Sequence, residues 1–285
     1  MSYNHRTMAS ENPDPLGQDA RAAPRTPEEW LQALGEAAAF FTCLPLGSRT
    51  PRFRAVDTLP AWPVVGLAIG LAAGIDLAIA RWLGAAPWLA AVVGLLTAVV
   101  LTGALHEDGL ADTTDAFGVA NADRTRRLEI LRDSRIGTYG ALALMFSLLL
   151  RVAALTQITV VAGTGAGLLA LAATHALSRA AMAWPINGSK PARSDGLGAA
   201  LGSPQAAIVG WTLAIGGGIA FVALLAVAPL AALLAPPLAV AMAAGVTSVA
   251  RDKIGGYTGD TLGATQQVVE ITVLVLVALC VGGGR

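Results

Sequence analysis

Charge is what this 285-residue chain has least of: Asp, Glu, Lys and Arg make up only 13% of it, about half the share in a soluble domain. With 55% hydrophobic residues and a mean hydropathy of +0.62, that shortage excludes an ordinary soluble globule. Cysteine is nearly absent too. Cys43 and Cys280 lie far apart without a CxxC or His/Cys pattern, which reads as isolated packing residues rather than a disulfide or zinc site. Net charge is zero, with 19 basic and 19 acidic residues, so charge placement has to carry the information. The first 25 residues are polar and lack an apolar stretch. They are expected to be a disordered tail, His5 included, and not a secretory signal.

What is present is length in the apolar runs. They cover about 61–83, 87–105, 140–161, 164–184, 205–228, 230–250 and 267–282, close to the roughly 20 residues that span a bilayer. The expected fold is all-α: a polytopic membrane protein with about seven transmembrane helices. Pro229, Pro236 and Pro237 interrupt the 205–250 region, so its division is open by one helix. The last run is short and is expected to begin inside the preceding loop. Ahead of the spans, Thr26-Pro27-Glu28-Glu29-Trp30 has an N-cap, a proline at the first position and a glutamate three residues on, predicting a short amphipathic helix. Residues 26–285 are read as one catalytic domain.

Connections near 84–86, 162–165 and 229 are tiny and carry no Lys or Arg, whereas those at 106–139, 185–204 and 251–266 hold nine of the 19 basic residues. The segment before residue 60 holds six more. Seven spans place all four basic regions on one side, and by the positive-inside rule that side is cytoplasmic.

The chemically richest stretch lies there. LTGALHEDGLADTTD, Leu101 to Asp115, sets four acids within nine residues directly after an apolar run. On a helix Asp108, Asp112 and Asp115 share about 60° of one face, while Glu107 lies about 100° from Asp108. Three carboxylates in register repel one another and call for a counter-charge; Mg²⁺, which combines a few carboxylates with phosphate oxygens, supplies it. A solvated, acid-capped helix end is the bland alternative. Gly109 would let a bulky substrate approach the helix backbone.

Arg124, Arg126, Arg127, Arg132 and Arg135 follow within a dozen residues. The first three are read as membrane-side anchors. Arg132 and Arg135 flank Asp133 and Ser134 and precede Gly137-Thr138-Tyr139-Gly140; this is a candidate diphosphate clamp in which side chains and backbone amides meet phosphate oxygens. Lys190, Arg193 and Asp195 sit in a Gly-rich loop without P-loop spacing. Asp260, among Gly255, Gly256, Gly259 and Gly263, is a fourth carboxylate, suited to a second metal. Within the spans Asp76, Arg151, His175 and Arg179 stand out. Asp76 and Arg81 read as a local pair or as snorkelling groups. Arg179 and His175, one turn apart, could meet an anionic substrate or hold the acidic helix in place. The residues alone thus reach metal-dependent chemistry on a phosphorylated substrate at a membrane face.

Five segments taken together, in order, resemble the cobalamin synthase family: FFTCLPLG, HEDGLADTTDAFG, LRDSRIGTYGALAL, SDGLGAALG and GGYTGDTLGA, from about residue 36 to 270. Glu107 and the polar tail depart from the family pattern. The resemblance implies an adenosylcobinamide-GDP ribazoletransferase in the cytoplasmic (inner) membrane, its site facing the cytoplasm. It would be a Mg²⁺-dependent enzyme that joins adenosylcobinamide-GDP to α-ribazole, or its 5′-phosphate, and releases GMP. Asp108, Asp112 and Asp115 are then the catalytic and metal carboxylates, with Asp260 as a further ligand. Arg132, Asp133, Ser134, Arg135, Gly137, Arg179 and Asp195 are the substrate contacts. Partners are those substrates and the lipid bilayer, with no nucleic acid and homo-oligomer formation left open. Two alternatives stay open: a CDP-alcohol-type membrane phosphatidyltransferase and a cation-coupled transporter.

Overall fold

Thr26 caps the first helix as its sequence predicts. In the computed structural model, which describes residues 24, 26–45 and 55–283, the Thr26 hydroxyl accepts from Glu29 N–H and the Glu29 carboxylate accepts from Thr26 N–H, opening α1 (Pro27–Phe41). The expected tail and the Arg285 end fall outside the described residues. A 3-10 turn (Ala55–Ala61) then leads into α2 (Trp62–Trp82), which is followed by α3 (Pro87–Thr102) and α4 (Leu105–Gly118). After the short α5 (Arg124–Ile130) come the long helices α6 (Thr138–Ala162) and α7 (Thr164–Ala181). Two short helices, α8 (Ala183–Gly188) and α9 (Gly196–Ala200), precede α10 (Ala206–Leu225), α11 (Pro229–Ile254) and α12 (Gly259–Gly282).

Six of these segments are long and apolar enough to cross a bilayer: 56–82, 138–162, 164–188, 206–225, 229–254 and 259–282. The remaining expected span is the 16-residue α3, which meets α4 at an 88° bend. Two successive left-handed residues make that bend, Gly103 at φ +60° and Ala104 at φ +58°. For alanine that conformation costs about 1–2 kcal/mol, so the turn is held by its surroundings: Cys43 N–H bonds Leu101 C=O at 2.9 Å. The 205–250 region resolves into two helices joined at residues 226–228, and α11 runs unbroken through Pro236 and Pro237. Such prolines are tolerated where neighbouring helices surround the freed carbonyls. As expected for the last run, α12 begins eight residues early, inside the loop.

Span 164–188 sits at the centre, 89% buried in its apolar window against 33% for 138–162, 206–225 and 229–254. Its alanine and glycine content permits this. On α2, Gly66, Gly70 and Gly74 repeat every four residues against α7: a Cβ on Gly66 would lie 2.2 Å from His175 C=O, and on Gly70 2.4 Å from Leu171 C=O. Close backbone approach at small residues is how helices associate without a hydrophobic driving force. Outward, large apolar side chains such as Trp82, Val100, Phe146, Trp211 and Val222 stay exposed, a surface suited to lipid.

The three long polar connections converge. Arg124 donates to Ile254 C=O at 2.8 Å and to Ala192 C=O at 2.7 Å, tying α5 to the 189–195 loop and the end of α11. Arg127 donates to Ala116 C=O at 2.6 Å and Val119 C=O at 3.2 Å. Of the three arginines read as anchors, these two are structural ties.

Candidate active site

Asp108 and Asp260 come from helices far apart in sequence and line one cavity of about 190 Å³, together with Arg193 and His106. Phe40, Leu105, Met182, Leu201 and Leu262 form its apolar walls. The contact that brings the two carboxylates together is glycine on glycine. A Cβ on Gly109 would sit 2.7 Å from Asp260 C=O and 3.1 Å from Gly263 Cα, so α4 and α12 touch only because both residues lack a side chain. Gly109 therefore serves helix packing as well as lining the cavity. Asp260 occupies the first turn of α12, where the helix N-terminus favours negative charge, and the Thr258 hydroxyl donates to it at 3.1 Å.

Asp112, one turn beyond Asp108, is partly buried among acids. Partial desolvation and the charges of Asp108, Asp260, Asp115 and Asp133 push its pKa from 3.8 to about 7. This helix lies outside the six spanning segments. Among the described residues, no three His, Cys, Asp or Glu side chains converge closely enough to hold a metal by themselves.

Asp115 turns elsewhere. It is buried, and its two oxygens accept from Gly137 N–H at 2.7 Å and Gly140 N–H at 2.9 Å. It thereby caps the start of α6. Of the four amides in the stretch expected to meet phosphate oxygens, those of Gly137 and Gly140 are bonded to Asp115 in this structure. Neither glycine could carry a side chain there, since a Cβ on Gly137 or Gly140 would fall 2.4 or 2.3 Å from an Asp115 oxygen.

The expected arginine clamp is also distributed differently. Arg132 is exposed and paired with both oxygens of Asp195, at 2.8 and 2.6 Å. Arg135 folds back on Asp133 at 2.6 Å; that hydrogen-bonded pairing lowers the Asp133 pKa to about 2 and raises that of Arg135. Ser134 is exposed beside them. The cation at the cavity is Arg193, 3.8 Å from Asp260 and 3.7 Å from Asp195. Arg132, Asp195, Arg193 and Asp260 thus form a chain of alternating charge linking two loops and the start of α12. Sequence reading placed Arg193 in the loop without singling it out; its offset of two from Asp195 was the available signal.

Arg179 belongs to the bundle interior. It is buried, donates to His175 C=O at 3.2 Å, approaches His175 Nδ1 at 3.0 Å and lies 5.6 Å above the Phe41 ring. Beside it, Arg151 bonds Glu107 and Glu270, each at 3.1 Å. Gln266 donates to Glu270 at 2.6 Å and Gln267 to Glu107 at 3.1 Å. Glu107 thus faces away from the aspartates, as its position around the helix requires. Glu270, Gln266 and Gln267 escaped notice because they begin an otherwise apolar run; three such residues in a span were the signal. Asp76 accepts from Thr97 at 2.7 Å, while Arg81 bonds the Ala85 carbonyl, so of the two expectations for these residues the local pair is not formed.

The family model described as cobalamin-5-phosphate synthase matches residues 33–278. An adenosylcobinamide-GDP ribazoletransferase of Sinorhizobium medicae is 40% identical over 263 residues, covering 89% of this chain and 98% of its own. The enzyme of that name from Azorhizobium caulinodans is 44% identical over 254 residues, covering 86% and 94%. That of Bradyrhizobium diazoefficiens is 43% identical over 244 residues, covering 85% and 91%. No solved structure matches. Similarity of this extent, over nearly all of the helical bundle, makes the chain a member of the cobalamin-5-phosphate synthase family of transferases.

Proposed function

We propose that this protein transfers the cobinamide-phosphate portion of adenosylcobinamide-GDP to the ribose hydroxyl of α-ribazole, or of its 5′-phosphate, and releases GMP at the cytoplasmic face of the inner membrane. The names of its relatives supply the substrates. The observation that carries the site is the meeting of Asp108, Asp260 and Arg193 at one mostly apolar cavity.

The carboxylate set fits Mg²⁺. That ion takes one or two carboxylates and completes its shell with water and substrate phosphates, so a preformed protein triad is not required. Burial first, and then the neighbouring acids, raise the Asp112 pKa to about 7. Asp108 and Asp260 would hold the ion, which supplies neutralisation of charge on the diphosphate. Arg193, already balanced between two aspartates, can exchange a carboxylate for a phosphate oxygen. Asp112, with its pKa near the working pH, accepts the proton of the attacking hydroxyl. The bond from the cobinamide-bearing phosphorus to GMP breaks as the bond to the ribose oxygen forms. Asp115 keeps α6 in place beside this chemistry, and the apolar walls suit the flat base of the acceptor.

Incubating the detergent-solubilised chain with adenosylcobinamide-GDP, α-ribazole and Mg²⁺ should yield GMP with the joined corrinoid. Absence of GMP, with CMP released instead from a CDP-alcohol donor, would replace this reading with the phosphatidyltransferase one. Uptake of a divalent cation into proteoliposomes without nucleotide turnover would favour the transporter.

A further inference from the structure

A second, larger cavity of about 650 Å³ opens on the other side of the Lys190–Arg193 segment. Its lining includes Lys190, Arg251, Ser189, Ser203 and Asn187 and no acidic residue. Two side chains distinguish it. Among the described residues, the other basic groups of these loops are engaged. Arg126, Arg132, Arg135 and Arg193 pair with carboxylates, Arg124 and Arg127 bond carbonyls, and Lys253 lies over Phe117. Among the described residues, Lys190 and Arg251 have no ion pair, side-chain hydrogen bond or ring contact, and both are exposed at this cavity.

The wall between the two cavities is fixed. Tyr257 N–H donates to Lys190 C=O at 3.0 Å and Ala192 N–H donates to Tyr257 C=O at 2.8 Å, forming a parallel bridge at Pro191. A Cβ on Gly256 would fall 2.1 Å from the Lys190 carbonyl. Lys190 is therefore held on one side and Arg193 on the other, with Cα atoms at most about 10 Å apart even in a fully extended chain. That is the scale of a nucleoside diphosphate. We propose that the Lys190–Arg251 cavity binds the nucleotide half of the donor. The diphosphate then crosses the bridged segment, so that the phosphorus under attack lies by Arg193 and the departing nucleotide lies by the two free cations. The cavity volume falls in the range of small-molecule sites, and its hydroxyl and amide groups suit a ribose and a base edge. The inference rests on the reading above for the identity of the donor, but the anion site stands on its own geometry.

The test is equilibrium binding of GDP to the detergent-solubilised full chain, with donor and acceptor KM measured in parallel. Lys190→Ala and Arg251→Ala should each weaken GDP binding about tenfold, the loss of one charge-assisted contact. They should raise the donor KM similarly and leave the acceptor KM unchanged. Arg251→Lys should restore part of the affinity, and Arg126→Ala should match wild type. GDP binding lost in these variants of a protein that turns over no corrinoid donor would uphold the cavity while refuting the proposed function. Wild-type affinity in the double variant, or no GDP binding by a wild type that does turn over donor, would overturn the cavity. So would variants that lose anionic lipid from nanodiscs yet keep their affinity for GDP.

Discussion

Gly109 and Gly263 face each other across α4 and α12 so closely that a Cβ on either would come within 3.2 Å of the other's Cα. That contact sets the separation of Asp108 from Asp260. Substituting Gly109 by Val should force the helices apart, since the neighbouring Asp260 carbonyl at 2.7 Å cannot yield. Transfer should fall by about 10²-fold or more, the scale of ångström misplacement, and the protein should lose about 1–3 kcal/mol of stability from overpacking. GMP release and thermal unfolding in detergent measure the two effects.

Asp108→Asn and Asp260→Asn should each lower GMP release by about 10²–10³-fold, the scale seen when a group that stabilises developing charge is removed. Folding should survive, because each change relieves like-charge crowding. Full activity in both variants would remove them from the site.

Asp115→Ala should act differently, through stability. Losing an acceptor for two amides at a helix start costs about 1–2 kcal/mol, and Asp115→Asn should recover part of this through its remaining oxygen. A variant with unchanged melting but no activity would instead place Asp115 in the chemistry.

Transfer should depend on pH through Asp112. Its carboxyl, raised to about 7 by burial and neighbouring acids, is protonated below that pH and then can neither accept a proton nor offer charge to a cation. The rate should fall about tenfold per unit as pH drops below 7 and level off above it. Asp112→Asn should abolish that acid limb, and a limb persisting in the variant would assign it to another group.

Glu270→Ala should be the most destabilising of these changes. It strips the buried Arg151 of one of its two carboxylates, and breaking a buried pair from one side costs about 3–5 kcal/mol. Thermal unfolding of the solubilised variant against wild type tests this.

Much of the architecture was legible residue by residue, because hydropathy and capping are local properties. The apolar runs located the helices, Thr26 and Glu29 announced α1, and the 100° offset of Glu107 from Asp108 correctly separated it from the aspartate face. What the sequence left open was the identity of each side chain's partner. Arg132, Arg135 and Arg179 were expected at phosphate, yet each is taken by a residue whose approach depends on how loops and helices cross. Arg193 and the free pair Lys190 and Arg251 emerged only once those partnerships were filled.

By itself, then, the order of amino acids determined a helical membrane protein, the register of three aspartates and the motifs of its family. Only the tertiary structure decided that Asp108 meets Asp260 while Asp115 holds the start of α6. The reason is that carboxylates on one helical face share a direction but not a counter-charge. Close backbone contacts at Gly109 and Gly263 set Asp108 beside Asp260, and those at Gly137 and Gly140 give Asp115 its two amide donors.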